Sequence, residues 1–272
     1  MKRPEQLAKL QQTPNWDVII IGGGASGLGT AIDSASRGLK TILVEAADFA
    51  KGTSSRSTKL VHGGVRYLEQ GNIALVREAL KERGIMAKNA SHLVKNQSFV
   101  IPNYNWWAGY FYTIGLKIYD VLAGSLSLGK SEYISKKKTI ELLPTVKQKG
   151  LQSGVIYHDG QFDDSRMAIN LAQTAIENGA CVLNYIKVIA LLKDNNNRVI
   201  GVIVEDQESG EKQEIKGTSV INATGVFTNS IMKMNDTVYK KYIVPSQGIH
   251  LVFDKSFLPG NDALMIPKTS DG

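Results

Sequence analysis

The chain has 272 residues, 43% of them hydrophobic and 21% charged, with a single cysteine, Cys181. These values exclude a disordered, collagen-like or coiled-coil chain, and a lone cysteine excludes an intrachain disulfide, as suits a reducing compartment. The formal charge is +7 and glycine is in excess at 26 residues; glycine excess in an α/β protein points to tight turns around a ligand.

Residues 1–15 read as a polar, loosely held lead-in without the apolar core of a signal peptide. Asp17-Val18-Ile19-Ile20-Ile21 is a continuous β-branched run, the pattern of a strand buried on both faces. A helix is predicted from the following glycines to Arg37, stopped by Gly38, then a second strand over Lys40–Glu45. This is a βαβ unit. Residues 46–72 read as a loop rich in Gly, Ser and Thr. A helix is predicted over 73–93, with Ile73, Val76, Leu80 and Ala87 on one side. Residues 103–123 are aromatic-rich. Another helix is expected over 163–178, between Asp163 or Asp164 as its N-cap and Gly179. Strands are then predicted at 181–186, 187–192, 199–205 and 212–216, with a further one, Ser219–Asn222, running into Ala223-Thr224-Gly225. No run reaches the length of a membrane span.

Charge is uneven. Residues 51–95 carry nine Lys or Arg against three acids, and residues 130–149 carry six Lys against two Glu. Such clusters suit nucleic acid, anionic lipid or a phosphorylated small molecule, or form a solvated basic face. Arginine-rich or RNP-like motifs are absent, so no nucleic-acid partner is expected. No Cys/His cluster has metal spacing, and Cys181 reads as a small buried apolar residue.

Gly22-x-Gly24-x-x-Gly27 directly follows a buried strand and opens a helix, as the dinucleotide fingerprint requires. Gly22 permits the turn, Gly24 the approach of a diphosphate, and Gly27 close packing of helix on strand. The helix N-terminus, with the amides of Ala25 and Ser26, favours the anion. Glu45, 18 positions after Gly27 at the end of the second strand, suits an adenosine ribose and disfavours a 2′-phosphate. The fingerprint alone does not separate NAD from FAD. The dense hydroxyl and basic segment Gly52–Gly64 and the later strand meander favour the larger cofactor.

The sequence resembles the FAD-dependent glycerol-3-phosphate dehydrogenases and their relatives, the glycerol-3-phosphate oxidases. The resemblance is carried by Ile21–Gly24, Gly52–Ser55, Lys59–Leu68, Asp159–Asp164, Asn222–Gly225 and Gly248–Val252; Lys59–Leu68 is the most specific block. It implies an α/β fold: a Rossmann-like FAD-binding domain of the amino-acid-oxidase type, interleaved with a substrate-capping α+β domain. The expected division is 15–93 with 145–230 for FAD, and 94–144 with 231–272 for part of the cap. The family continues beyond Gly272, where a turn signal over Ile266–Gly272 stands, so a fragment or partial gene is expected. Further phosphate-binding arginines and a lysine, and the last FAD-contacting loop, are expected beyond it.

The resemblance also implies site residues. The fingerprint glycines with Glu45 and Ala46 would bind the ADP half, with the Val188 backbone at the adenine. Thr53, Ser54, Ser55, Ser57, Lys59, Leu60, His62, Gly63 and Gly64 would line the pyrophosphate and flavin approach. Ala223, Thr224 and Gly225 would pass by the diphosphate. Arg66 and Tyr67 match positions near the substrate, and His250 an active-site histidine. Histidine suits removal of a hydroxyl proton and arginine suits a phosphate or alkoxide. The bland readings are that His250 is structural in the alternating run Ile249–Phe253, that Arg66 pairs with Glu69, and that His62 packs. The implied reaction is oxidation of sn-glycerol 3-phosphate to dihydroxyacetone phosphate, with quinone or oxygen as final electron acceptor. Tyr and Trp in Asn105–Tyr112 suit a capping helix or a membrane interface beside Lys130 and Lys136–Lys138. The implied location is the cytoplasm, peripheral at the inner face of the cell membrane, with oligomeric state open. The alternatives are a flavoenzyme acting on an amine or 2-hydroxy acid, an FAD-containing RNA-binding protein, and a non-catalytic nucleotide-binding fragment.

Overall fold

The computed structural model describes residues 2–236, 238–241 and 243–267, with the Arg66 side chain outside the description. The elements in chain order are α1 (Arg3–Gln12), β1 (Trp16–Ile21), α2 (Ala25–Ser36), β2 (Thr41–Val44), β3 (Leu60–Val61), α3 (Val65–Glu69) and α4 (Ile73–Asn89). Next come β4 (Val94–Asn103), α5 (Ala108–Ala123), β5 (Glu132–Ser135), α6 (Lys136–Leu142), β6 (Ser153–Phe162) and α7 (Asp164–Glu177). The last are β7 (Cys181–Leu183), β8 (Ile186–Lys193), β9 (Val199–Asp206), β10 (Lys212–Asn222), α8 (Thr228–Asn235) and β11 (Ala263–Leu264). Among the described residues no helix is long and apolar enough to cross a membrane.

The chain divides into two units, one of Met1–Ser57 with Asp164–Gly248 and the other of Thr58–Asp163 with Ile249–Gly272. These bounds differ from the sequence expectation. Residues 58–93 and 145–163 leave the nucleotide-binding unit because β3 and β6 pair into the other unit's sheet. Residues 1–14 and 231–248 join the first unit.

The first unit holds a six-stranded sheet in the order β7-β2-β1-β10-β9-β8. β1 runs parallel to β2 and to the second half of β10, and β2 parallel to β7. β8, β9 and the first half of β10 form an antiparallel meander. The apolar run of β1 is explained by burial on both faces. Ile19 and Ile21 enter a core with Val188, Val202, Val204 and Ile215 of the meander. Val18 and Ile20 enter one with Leu28, Ala31 and Ala35 of α2 and Ala168, Ala172 and Ala175 of α7. Alanine on both helices lets them lie close together on the sheet.

Two expectations for this unit change. The lead-in is a helix: α1 has Pro4 at its start, Glu5 in its first turn and Lys9 in its last, all favourable at those ends. Its Leu10 is buried and Gln6 Oε1 accepts from the Val182 amide at 3.1 Å. The predicted strands 212–216 and 219–222 are one strand, β10. It exchanges its antiparallel partner β9 for its parallel partner β1 at Gly217, where a Cβ would stand 2.9 Å from the Trp16 carbonyl. Cys181 is buried, its thiol pushed up to about 12 by burial against an opposing pull from Lys9.

The second unit holds the sheet β11-β4-β6-β3, with β5 also on β6. β4 and β6 pair antiparallel over their whole lengths, from Val94↔Phe162 to Asn103↔Ser153. Phe99, Ile101, Val155 and Tyr157 of this sheet form a core with Leu116 of α5. Val76 and Leu80 of α4 and Tyr119 and Ala123 of α5 form a second.

Helix α2 can leave the end of β1 so closely only because Gly27 has no side chain. A Cβ there would lie 1.9 Å from the Gly22 carbonyl oxygen. Gly27→Ala is expected to destabilise the protein by about 2 kcal/mol through overpacking, checked by denaturant unfolding against wild type; an unchanged midpoint would refute this packing role.

Candidate functional site

In the first unit the turn after β1 is built by three constraints. Gly22 has φ +115, which favours glycine, and a Cβ there would also stand 2.6 Å from the Ala223 carbonyl oxygen. The Gly22 amide donates to the Val44 carbonyl at 2.9 Å and the Ala223 amide to the Ile21 carbonyl at 2.9 Å. Glu45, at the end of β2, accepts from the Gly23 amide through Oε2 at 2.6 Å and from the Ala47 amide through Oε1 at 2.9 Å. A carboxylate has about four acceptor sites, so two bonds leave Glu45 able to accept from a further hydroxyl.

Gly24 behaves differently. Its φ is −84 and ψ 179, ordinary extended backbone, and a Cβ there would meet only Ser54 Oγ, at 3.1 Å. Dihedral strain does not require glycine at this position, and the one close neighbour a Cβ would meet is a side-chain hydroxyl that would have to give by a few tenths of an ångström. The backbone face at the start of α2 is otherwise open, and a diphosphate suits it. Helix α2 begins at Ala25, with first-turn amides that lack intrahelical partners. The Ala25 amide donates to Ser54 Oγ at 2.9 Å. The predicted hydroxyl loop thus meets the fingerprint at Ser54, within a short 3-10 turn of Thr53–Ser55.

That loop is tied down from α7. Asp164 is buried, and its Oδ2 accepts from the Ser57 amide at 3.1 Å and the Ser57 hydroxyl at 2.8 Å, while Oδ1 accepts from the Ser165 amide at 2.8 Å. Asp164 is in the first turn of α7. The sequence marks Asp163 or Asp164 as a cap, but the bond to Ser57, 107 positions away, has no local signal. Ser55 is in the same turn, and Ala46 is exposed after β2. Val188 is buried in β8 just before its bulge. Thr224 Oγ1 donates to Asn222 Oδ1 at 2.7 Å, and Gly225 has φ +55. The structure therefore gathers Gly22, Gly24, Ala25, Gly27, Glu45, Ser54 and Ala223 around one turn.

The second unit holds the rest of the expected residues. Lys59, with φ +57, accepts through its carbonyl from the Phe162 amide at 3.0 Å, and Leu60 pairs with Gln161. His62 Nδ1 accepts from the Gly64 amide at 3.1 Å. Gly63 and Gly64 are buried, and the Tyr67 ring occupies the space a Gly64 Cβ would need, 2.6 Å away. Arg66 lies in α3, but its side chain, and with it the Arg66–Glu69 pairing, falls outside the described residues. Under this turn sits a network that sequence reading missed. Arg83 of α4 pairs with Asp159 of β6 at 2.8 Å, and Tyr119 of α5 donates to Asp159 Oδ2 at 2.9 Å.

His250 lies in an exposed stretch of the same unit. The alternating run Ile249–Phe253 pairs with no strand among the described residues, and Val252 is 97% exposed. Alternation makes a strand only where a sheet edge accepts its backbone, and this stretch joins none of the edge strands β11, β3 and β5. Of the expected turn over Ile266–Gly272, residues 268–272 lie outside the described residues.

The fold and the turn define a dinucleotide-binding class, and comparison with known proteins gives the family: the chain belongs to the FAD dependent oxidoreductase family, whose model matches residues 17–271. Among curated proteins it is 42% identical, over 99% of its own length, to the mitochondrial glycerol-3-phosphate dehydrogenases of Schizosaccharomyces pombe and Homo sapiens. The chain spans 44% and 39% of those proteins. Among solved structures, the glycerol-3-phosphate dehydrogenase from Bacillus halodurans complexed with FAD has a TM-score of 0.67 at 31% identity, over 86% of this chain and 39% of that one. L-alpha-glycerophosphate oxidase from Mycoplasma pneumoniae, with FAD bound, has a TM-score of 0.59 at 20% identity, over 82% of this chain and 57% of that one, and shares the fold.

Glu45→Ala removes both acceptors that hold the glycine turn. Hydrogen bonds to a charged group are worth about 1.5–3 kcal/mol each. The intact variant is expected to retain FAD at least about tenfold more weakly, read from flavin absorbance after dialysis; equal retention would contradict the role given to Glu45.

Proposed function

We propose that the protein takes part in FAD-dependent oxidation of sn-glycerol 3-phosphate to dihydroxyacetone phosphate, with electrons passed on to quinone or oxygen. The single observation that carries this reading is the 42% identity to glycerol-3-phosphate dehydrogenases along 99% of the chain. The relatives are longer than this chain, so the activity is proposed for the intact protein. FAD, when bound, supplies the two-electron acceptor for the hydride leaving C2 of the substrate.

In this reading Gly22, Gly24, Gly27 and the start of α2 hold the diphosphate, and Glu45 takes the adenosine ribose. Arg66, at the start of α3, contributes its guanidinium to the substrate phosphate or to the oxygen at C2 as charge develops there. Tyr67 lies beside it on the same helix. His250 is the proposed acceptor of the hydroxyl proton, a role open to an imidazole near neutral pH.

Work at a membrane surface is part of the proposal. It is supported by the outward apolar face of α5, where Tyr110, Phe111, Ile114, Ile118 and Val121 are exposed, and by Lys136, Lys137 and Lys138 at the start of α6 in the same unit. Trp and Tyr favour the membrane interface, and lysines favour anionic lipid.

Anaerobic addition of glycerol 3-phosphate to the intact flavoprotein is expected to bleach the flavin, and free amino acids are not. Arg66→Ala is expected to lose on the order of 100-fold in turnover with FAD still bound. Bleaching by an amino acid instead, or normal turnover and substrate affinity in Arg66→Ala, would overturn the substrate assignment.

A further inference from the structure

Arg83, Tyr119 and Asp159 come from three different elements of the second unit and are each at most 2% exposed. Beyond the ion pair, Arg83 Nη1 reaches the His158 carbonyl at 3.5 Å and Nη2 the Leu126 carbonyl at 3.3 Å, with the guanidinium 5.8 Å from the Tyr119 ring centre. The network ends on one backbone group. The Gly63 amide donates to the Tyr119 hydroxyl at 2.7 Å and faces Asp159 Oδ1 at 3.3 Å. Burial, reinforced by the Asp159 charge, pushes the Tyr119 hydroxyl far above its ordinary pKa. It therefore stays a donor to Asp159 while accepting from Gly63.

A buried ion pair is seldom the most stabilising way to fill such a space, because desolvation offsets the attraction. What it supplies here is a fixed position for a turn. Gly63 is clamped: a Cβ there would lie 2.3 Å from Leu80 Cδ2 and 2.4 Å from the Tyr119 hydroxyl oxygen. Gly64 has φ +73, and its amide is held by His62 Nδ1, which leaves the proton of the neutral imidazole on Nε2. Helix α3 begins at the next residue, Val65, and carries Arg66 and Tyr67.

We propose that Tyr119, with the Arg83–Asp159 pair behind it, is a positioning residue for substrate recognition: it fixes the His62–Gly64 turn and so the direction in which α3 presents Arg66. This rests on the reading of Arg66 as the substrate-facing arginine. A residue that orients another affects chemistry through small displacements, and a shift of about 1 Å can cost about 100-fold.

The test uses the intact flavoprotein and Tyr119→Phe, which keeps the ring in its core and removes one oxygen. KM for glycerol 3-phosphate is expected to rise at least about tenfold, with FAD content and the flavin spectrum as in wild type. Leu143→Ala, buried in the second unit outside the cluster that α3 packs on, serves as the stability control: it melts lower but keeps the wild-type KM. A Tyr119→Phe variant with unchanged KM, or one whose KM moves no more than that of Leu143→Ala, overturns the proposal. Should Tyr119→Phe come out without flavin, Arg83→Lys carries the same comparison, since it keeps the charge on Asp159 and gives up the bonds to the two carbonyls. Wild-type flavin that glycerol 3-phosphate does not bleach would sink the functional reading, and the proposal with it. Bleaching in wild type with an unaffected variant sinks the proposal alone.

Discussion

The first unit depends on one close approach: the Gly27 backbone against the Gly22 carbonyl, where there is no space for a single carbon. It lets α2 rise directly from the end of β1. Two things follow from it. The first-turn amides of α2 open where the strand ends, and Ala223, arriving from β10, passes within reach of the same turn. A helix N-terminus at the carboxyl end of a parallel strand is a place where an anion is stabilised without any cationic side chain. The chain adds Glu45 and Ser54 to fix the turn's amides, and Asp164 to fix the loop that carries Ser54.

The second unit relies on side chains from the start. Its critical turn, Gly63–Gly64, is held by side chains from three elements that are distant in sequence, including a buried charge pair. The first turn rests on a close backbone approach that side chains then secure, whereas the second is placed by a buried polar network, which gives direction at some expense of stability and leaves Arg83 Nε without a hydrogen-bond partner.

What the sequence made legible follows from how local each constraint is. β1, β2 and the glycine turn were readable because burial on both faces writes a continuous apolar run, and a close backbone approach writes glycine. The meander β8–β10 was readable because the polar runs Asp194–Asn197 and Glu208–Gly210 separate its apolar strands, though the passage of β10 through Gly217 looked like a break. The long pair β4–β6 gave no comparable signal, because polar Asn96, Gln97 and Ser98 interrupt β4 while its partner lies some 60 residues away. Helix α1 was missed because its stability comes from two buried residues, Gln6 and Leu10, meeting β7, and not from an apolar stripe. The network under Gly63 was invisible for the same reason: Arg83 looked like one more cation in a basic helix. The alternating run around His250 made no strand, since an alternating pattern does not supply a sheet edge.

Gly24 offers the sharpest test of the central claim, because its dihedrals are ordinary and a Cβ there would meet a single side-chain atom. Intact apoprotein carrying Gly24→Ala should fold, its new methyl pushing aside by a few tenths of an ångström the Ser54 hydroxyl that accepts from the Ala25 amide. A titration with FAD followed by flavin fluorescence should show its affinity reduced at least about tenfold, a cost of about 1.4 kcal/mol. Equal FAD affinity in the variant and the wild type would mean that the diphosphate does not lie against this backbone.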